Sequence, residues 1–205
     1  KGHGSHPAGE IGAVLRQRKV IYLMASAMLM TAAHGALYVF YSIHLVSQGY
    51  GKTLVGFLWT LGVVAEIFVF LWMPRISTHF SLRAVLLTCF ALAVFRFAAI
   101  GWGVAFIGLL VLAQLLHAAS FGAHHAATVD ALNRWFAPGQ QARAQALYGS
   151  IAYGAGGLGG ALLAGWMWEA LGPALTYTAS AGLALWGLAL VWHGVPGDSK
   201  QAPVR

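Results

Sequence analysis

Six long apolar stretches constrain this chain more than any other feature. They run at Val20–Val46, Thr53–Met73, Leu82–Ile100, Val104–Asn133, Ala142–Trp168 and Pro173–His193. A hydrocarbon core of ~30 Å needs about 20 helical residues to cross, and each stretch meets that length. Helices are the expected spanning form, because every backbone polar group must be satisfied inside the segment. Threading six crossings puts both ends of the chain on one face. Lys1, Arg16, Arg18, Lys19, Arg75, Arg83, Arg134, Arg143, Lys200 and Arg205 then share that face, Lys52 stands alone opposite, and Arg96 lies within a span. By the positive-inside rule both termini are cytoplasmic. The expectation is an integral protein of an inner, plasma-type membrane.

The rest of the composition agrees. The chain is 59% hydrophobic and 8% charged, against about 25% charged in soluble domains. The net charge of +7 is spread over loops and not gathered on one stripe, so nucleic acid is excluded as a partner and anionic lipid headgroups are the expected counter-charge. One cysteine, Cys89, permits no intrachain disulfide. Residues 1–19 read as a cytoplasmic linker that begins as a loop, residues 20–193 as a six-helix transmembrane bundle, and residues 194–205 as a cytoplasmic tail. The chain opens without Met, as the second half of a longer protein would, and His3 and His6 in that lead-in read as exposed. Six crossings divide into three plus three of opposite orientation, the inverted-repeat plan of many transporter halves.

Polar groups inside spans cost at least about 2.5 kcal/mol when charged, so each calls for a reason. Glu66 is the only carboxylate well inside a span, 8 residues before Pro74 and so roughly 12 Å above the boundary. A carboxyl taken out of water is suited to proton exchange. Arg96, 13 residues past Arg83, stands roughly 20 Å up; snorkelling outward and pairing with Glu66 both fit that height. Thr31, His34, Tyr38 and Tyr41 recur at steps of three and four, giving the first span one polar, aromatic face. Gln114, His117, Phe121 and His124 do the same in the fourth, with His125 one residue round. Imidazole both donates and accepts, as a proton relay or a solute site requires. No thiol or carboxylate joins these histidines at metal-ligand spacing, so neither a metal nor another cofactor is expected. Asp130 and Arg134 read as a surface pair, and His44 and His79 as wetted boundary residues. Gly154–Gly159, GAGGLG, spells a dinucleotide motif, but no strand precedes it. Gly156, Gly160, Ala161 and Gly165 instead form small-residue faces for close helix contact.

Four segments carry a family resemblance. HGALYVFYS at His34–Ser42, GFLWTLGVVAEIF at Gly56–Phe68, LLHAASFGAHH at Leu115–His125 and QALYGSIAYGAGGLGGALLAGWMWEALGP at Gln145–Pro173 resemble the phenylpropionate permease-like branch of the major facilitator superfamily. The resemblance runs from about Leu15 to Val191, in the order of that fold's C-terminal half. It implies a twelve-helix, proton-coupled symporter of which this chain supplies helices seven to twelve, partnered by an N-terminal six-helix half. His34, Tyr38 and Tyr41 match the family's HG-x-x-Y-x-x-Y pattern, Glu66 its helix-eight glutamate, and His117 and His125 its LHA and FGA-x-H elements. His124 stands where the family commonly has an aromatic residue, which leaves open which of the two histidines faces the cavity. The loop Met73–Arg83 lacks the superfamily's Gly-Asp signature. The solute is expected to be a small organic molecule moved with protons, an aromatic or other small carboxylate being the first choice, with Arg96 and the histidines as donors. A sugar or nucleoside symporter half and a stand-alone six-helix scaffold are the alternatives; an enzyme is not expected.

Overall fold

The structure, a computed structural model, describes residues 8–197, which contain helices and turns and no strand. The expectations on His3, His6, Lys1, Lys200 and Arg205 lie outside the described residues. A short helix, α1 (Ala8–Leu15), occupies the lead-in that reads as a loop; its Ile11, Val14 and Leu15 rest on the core. Next come α2 (Arg18–Ala33) and α3 (Gly35–Ser47), one 30-residue run interrupted at His34, whose N–H is shared between the carbonyls of Met30 and Thr31. Gly49 turns the chain with φ of 88°, a value that suits only a residue without Cβ.

Helix α4 (Lys52–His79) runs straight through Pro74 and six residues past the boundary that Met73 suggests. Proline is tolerated in spanning helices because neighbours and local adjustment re-satisfy the freed carbonyl. Helix α5 (Leu82–Trp102) starts at Ser81, whose Oγ accepts from the Ala84 N–H at 3.2 Å. The fourth run consists of α6 (Ile107–His117), a π-helical segment (Ala118–Ala123) and α7 (His124–Trp135). The last consists of α8 (Gln141–Tyr148), a second π-helical segment (Gly149–Gly156) and α9 (Gly157–Gly194).

Among the described residues five helical runs are long and apolar enough to cross a membrane, where the sequence suggests six. The difference lies in the last run, Gln141–Gly194, which is 54 residues long. Its one internal break is Gly172, with φ 79° and ψ 177°, followed by Pro173. The break falls at Leu171–Pro173, where the sequence places an outer link, and the chain reverses there: Trp168 before it and Tyr177 after it both lie against His44. Beyond the break the second part of α9 runs back to the start of α2, where Gly194 lies against Tyr22.

The first run is the most enclosed, and α9 packs along both it and α5. Contact there is close because glycines remove the side chains between backbones. A Cβ on Gly156 would fall 2.5 Å from Met28 O and 2.6 Å from Thr31 Oγ1, and one on Gly160 would collide with the backbone of Ala32. Thr31 Oγ1 reaches across the same seam to Ala152 O, a carbonyl of the second π-helical segment. The small-residue faces thus pack as expected at Gly156 and Gly160, while Gly165 faces open space. Helix α4 is the most exposed, with Phe57, Val63, Ile67, Phe68, Leu71 and Trp72 turned outward. Outward apolar surface of that extent is what lipid, or another bundle, would cover.

Candidate functional site

The centre of the bundle holds a buried charge. Arg96, from α5, is 0% exposed. Its Nε donates to Ala113 O at 2.8 Å, its Nη1 to His34 Nε2 at 2.9 Å and, at 3.4 Å, to Ser120 Oγ. These partners fix the chemistry of His34. A guanidinium can only donate, so Nε2 must accept; Met30 O can only accept, so Nδ1, 2.8 Å from it, must carry the proton. The interruption of the first helix at His34 turns this ring inward, fully buried. Arg96 neither snorkels nor pairs with Glu66, because its reach is taken up by the helices on either side of it. Its Nη2 has no hydrogen-bond partner among the described residues.

A second group lies on the partly open wall beside it. Glu66 Oε1, from α4, stands 3.4 Å from His117 Nε2, from α6, with the carboxyl side chain 18% exposed. The His117 ring stacks on Phe121 at 5.4 Å and 7°, and His34 touches both rings, at 5.6 Å and 4.8 Å. Tyr38 is 52% exposed, edge-on to His117 and stacked on Trp59 at 6.2 Å. Trp59 Nε1 in turn donates to Ser42 Oγ. The polar faces of the first and fourth runs therefore meet, and Glu66 joins them from the second. A π-helical segment follows His117 directly and carries Ser120 and Phe121. Such widened turns re-aim side chains and concentrate at functional sites.

The other candidates separate. His125 Nδ1 lies 3.0 Å from Tyr148 Oη and 2.9 Å from Tyr153 Oη, and Tyr153 meets Phe121 edge-on. His124 points the other way, buried edge-on against Phe90 of α5. His125 is thus the one joined to the cluster. Gln114 is buried beside Gly62, and Tyr41 is buried edge-on against Trp59. His44 corrects its reading as a wetted residue: it is buried between Trp168 and Tyr177, because the first run is enclosed up to its end. His79 is exposed and Asp130 pairs with Arg134 at 2.7 Å, both as read. Sequence reasoning missed Ser120, Trp59, Tyr148 and Tyr153. Two tyrosines in a stretch rich in Gly and Ala were the available signal for the last two. No group of three metal-ligating side chains occurs among the described residues.

A buried arginine, an adjoining carboxylate–imidazole pair and an aromatic wall, all carried on helices long enough to span, belong to an integral membrane protein. Residues 4–179 match the MFS_1 like family. The chain belongs to that family, within the phenylpropionate permease-like part of the major facilitator superfamily. It is 33% identical over 152 residues to the "Probable 3-phenylpropionic acid transporter" of Escherichia coli (strain K12), a match covering 73% of this chain and 39% of that relative. The chain thus spans well under half the length of the curated relative it matches. No solved structure matches it.

Proposed function

We propose that this chain is the C-terminal half of a proton-coupled symporter that imports a small organic anion, an aromatic carboxylate such as a phenylpropionate. In this reading the kink at Gly172 divides the last run into two crossings. Six crossings then arrange as three plus three in a plasma-type inner membrane, with both ends cytoplasmic. The partner is an N-terminal six-helix bundle facing the wall that holds Tyr38, Glu66 and His117.

The observation that carries the reading is the buried Arg96, with an uncommitted Nη2, behind the Glu66–His117 pair. Arg96 is the Lys or Arg that lies deep within a span, and Glu66 is the carboxylate well inside one. With Glu66 ionised, the two charges offset each other within a poorly solvated centre. Protonating Glu66 leaves one positive charge without its counter-charge, which favours entry of a carboxylate. Proton and anion then bind as a pair, and releasing either expels the other. His117 supplies the proton's second resting place, and Tyr38, Trp59 and Phe121 supply rings for an aromatic solute. The 33% identity to a protein named as a phenylpropionic acid transporter supports the solute class.

The test is uptake by the full-length transporter in proteoliposomes, with radiolabelled 3-phenylpropionate and an inward proton gradient. Glu66→Gln keeps the shape and loses the titration. It is expected to abolish accumulation against a gradient while sparing solute exchange. A variant that accumulates solute like its parent, at equal protein level, overturns the coupling role.

A further inference from the structure

We infer that the basic end of the bundle holds a binding site for the phosphodiester of an anionic phospholipid, built from Arg18, Lys19 and Arg83. These side chains line one open cleft of about 360 Å³, whose other wall is Trp192–Pro196 at the end of α9. The three cations come from two elements far apart in sequence, so only the fold brings them together.

Their position is electrostatically costly without an anion. Arg18 and Lys19 open α2, and Arg83 sits in the first turn of α5; neither turn carries an acidic residue. A helix N-terminus already bears roughly half a positive charge, so cations there add to repulsion, and anions are the favoured occupants. Part of the excess is met by the C-terminus of α9: Arg83 Nη2 donates to Trp192 O at 2.7 Å and Arg18 Nη2 to His193 O at 3.4 Å. Each guanidinium keeps further donors, and no carboxylate is among the described residues of the cleft. A phosphate oxygen pair suits such forked donors.

The setting selects a lipid over free phosphate. The cations lie over aromatic rings of the kind found at headgroup depth: Arg83 over Trp192 at 4.7 Å, Arg18 over Tyr22 at 5.2 Å and Lys19 over Trp135 at 4.8 Å. Ile21, three residues along α2 from Arg18, and Leu185, seven residues before Trp192 on α9, are apolar and exposed, as contact with acyl chains requires. Basic pockets between spanning helices on the cytoplasmic side are a known form of headgroup site.

The experiment titrates delipidated full-length transporter in detergent with phosphatidylglycerol, phosphatidylcholine or inorganic phosphate, reading thermal midpoint and native mass spectra. Phosphatidylglycerol is expected to raise the midpoint and remain bound, with phosphatidylcholine and inorganic phosphate far weaker. Lys19→Gln, which breaks no carbonyl bond, should weaken phosphatidylglycerol by about five-fold, and Arg83→Gln with Lys19→Gln by about 25-fold. Arg83→Lys should recover most of the loss from Arg83→Gln. Equal effects of the two lipids, equal protection by inorganic phosphate, or undiminished binding by Lys19→Gln each overturn the site. Asp198→Asn is run alongside. A several-fold gain of lipid binding on that change would mean that the chain's own tail occupies the cleft, which also overturns it.

Discussion

Replacing Gly160 by Ala tests the seam on which the central site rests. The added Cβ would collide with the backbone of Ala32, its distance to Ala32 Cα being 2.5 Å where ordinary contact begins near 3.4 Å. Neither partner is a flexible side chain, so the helices must part by about 1 Å to relieve it. A gap of that size forfeits roughly a quarter to a half of each contact's ~0.1–0.2 kcal/mol. Over on the order of 20 atom pairs along the crossing, that is about 1 kcal/mol. Stretching the Thr31 Oγ1 to Ala152 O hydrogen bond adds about 1 kcal/mol. The total of about 2 kcal/mol lies within the usual cost of overpacking. At ~2–4 °C per kcal/mol it corresponds to a midpoint lowered by on the order of 5 °C.

The assay is heating in detergent followed by size exclusion of the full-length protein. Gly165→Ala is the control, because nothing lies within 4 Å of its added Cβ; as a half-buried helical site with open space beside it, it should be neutral or gain up to ~1 kcal/mol. The same displacement would move Gly35, which abuts Gly160, and with it His34. Gly160→Ala should therefore also weaken solute binding, whereas Gly165→Ala should not. Equal midpoints for the two variants would refute the claim that backbone contact at Gly160 holds the first and last runs together.

His34→Phe should keep the ring volume and remove the ring's bonds to Arg96 Nη1 and Met30 O, lowering stability by about 2 kcal/mol; an unchanged thermal midpoint would show that these bonds contribute nothing. Tyr153→Phe removes one of the two hydroxyls on His125 Nδ1, and its cost is expected to be small, about 1 kcal/mol or less, because Tyr148 remains 3.0 Å away. His125→Phe should cost more, and equal midpoints would refute that the ring holds both hydroxyls. The 205-residue chain alone should show no saturable uptake in proteoliposomes, since its polar wall needs a facing bundle; robust uptake would overturn that.

The sequence by itself determined that the chain lives in a membrane, and roughly where its helices lie. Apolar length and the one-sided distribution of Lys and Arg are one-dimensional quantities, and lipid and the positive-inside rule read them directly. Helical spacing likewise put His34, Tyr38, Gln114 and His117 on two polar faces, because steps of three and four need no partner to define them. The crowding of Gly156 and Gly160 was legible for the same reason. Only the tertiary structure decided how those faces turn against each other. Arg96 meets His34 across 62 residues of sequence, and its height along the helix was compatible with two other fates. The rotation of α5, fixed by packing against α9, sends Arg96 inward to the carbonyl of Ala113. Pairwise geometry of that kind also separates His125 from its neighbour His124 and buries His44 between Trp168 and Tyr177. The π-helical segments at Ala118–Ala123 and Gly149–Gly156 leave no periodic trace in the chain, since each widens a single stretch of helix to suit contacts made by residues elsewhere.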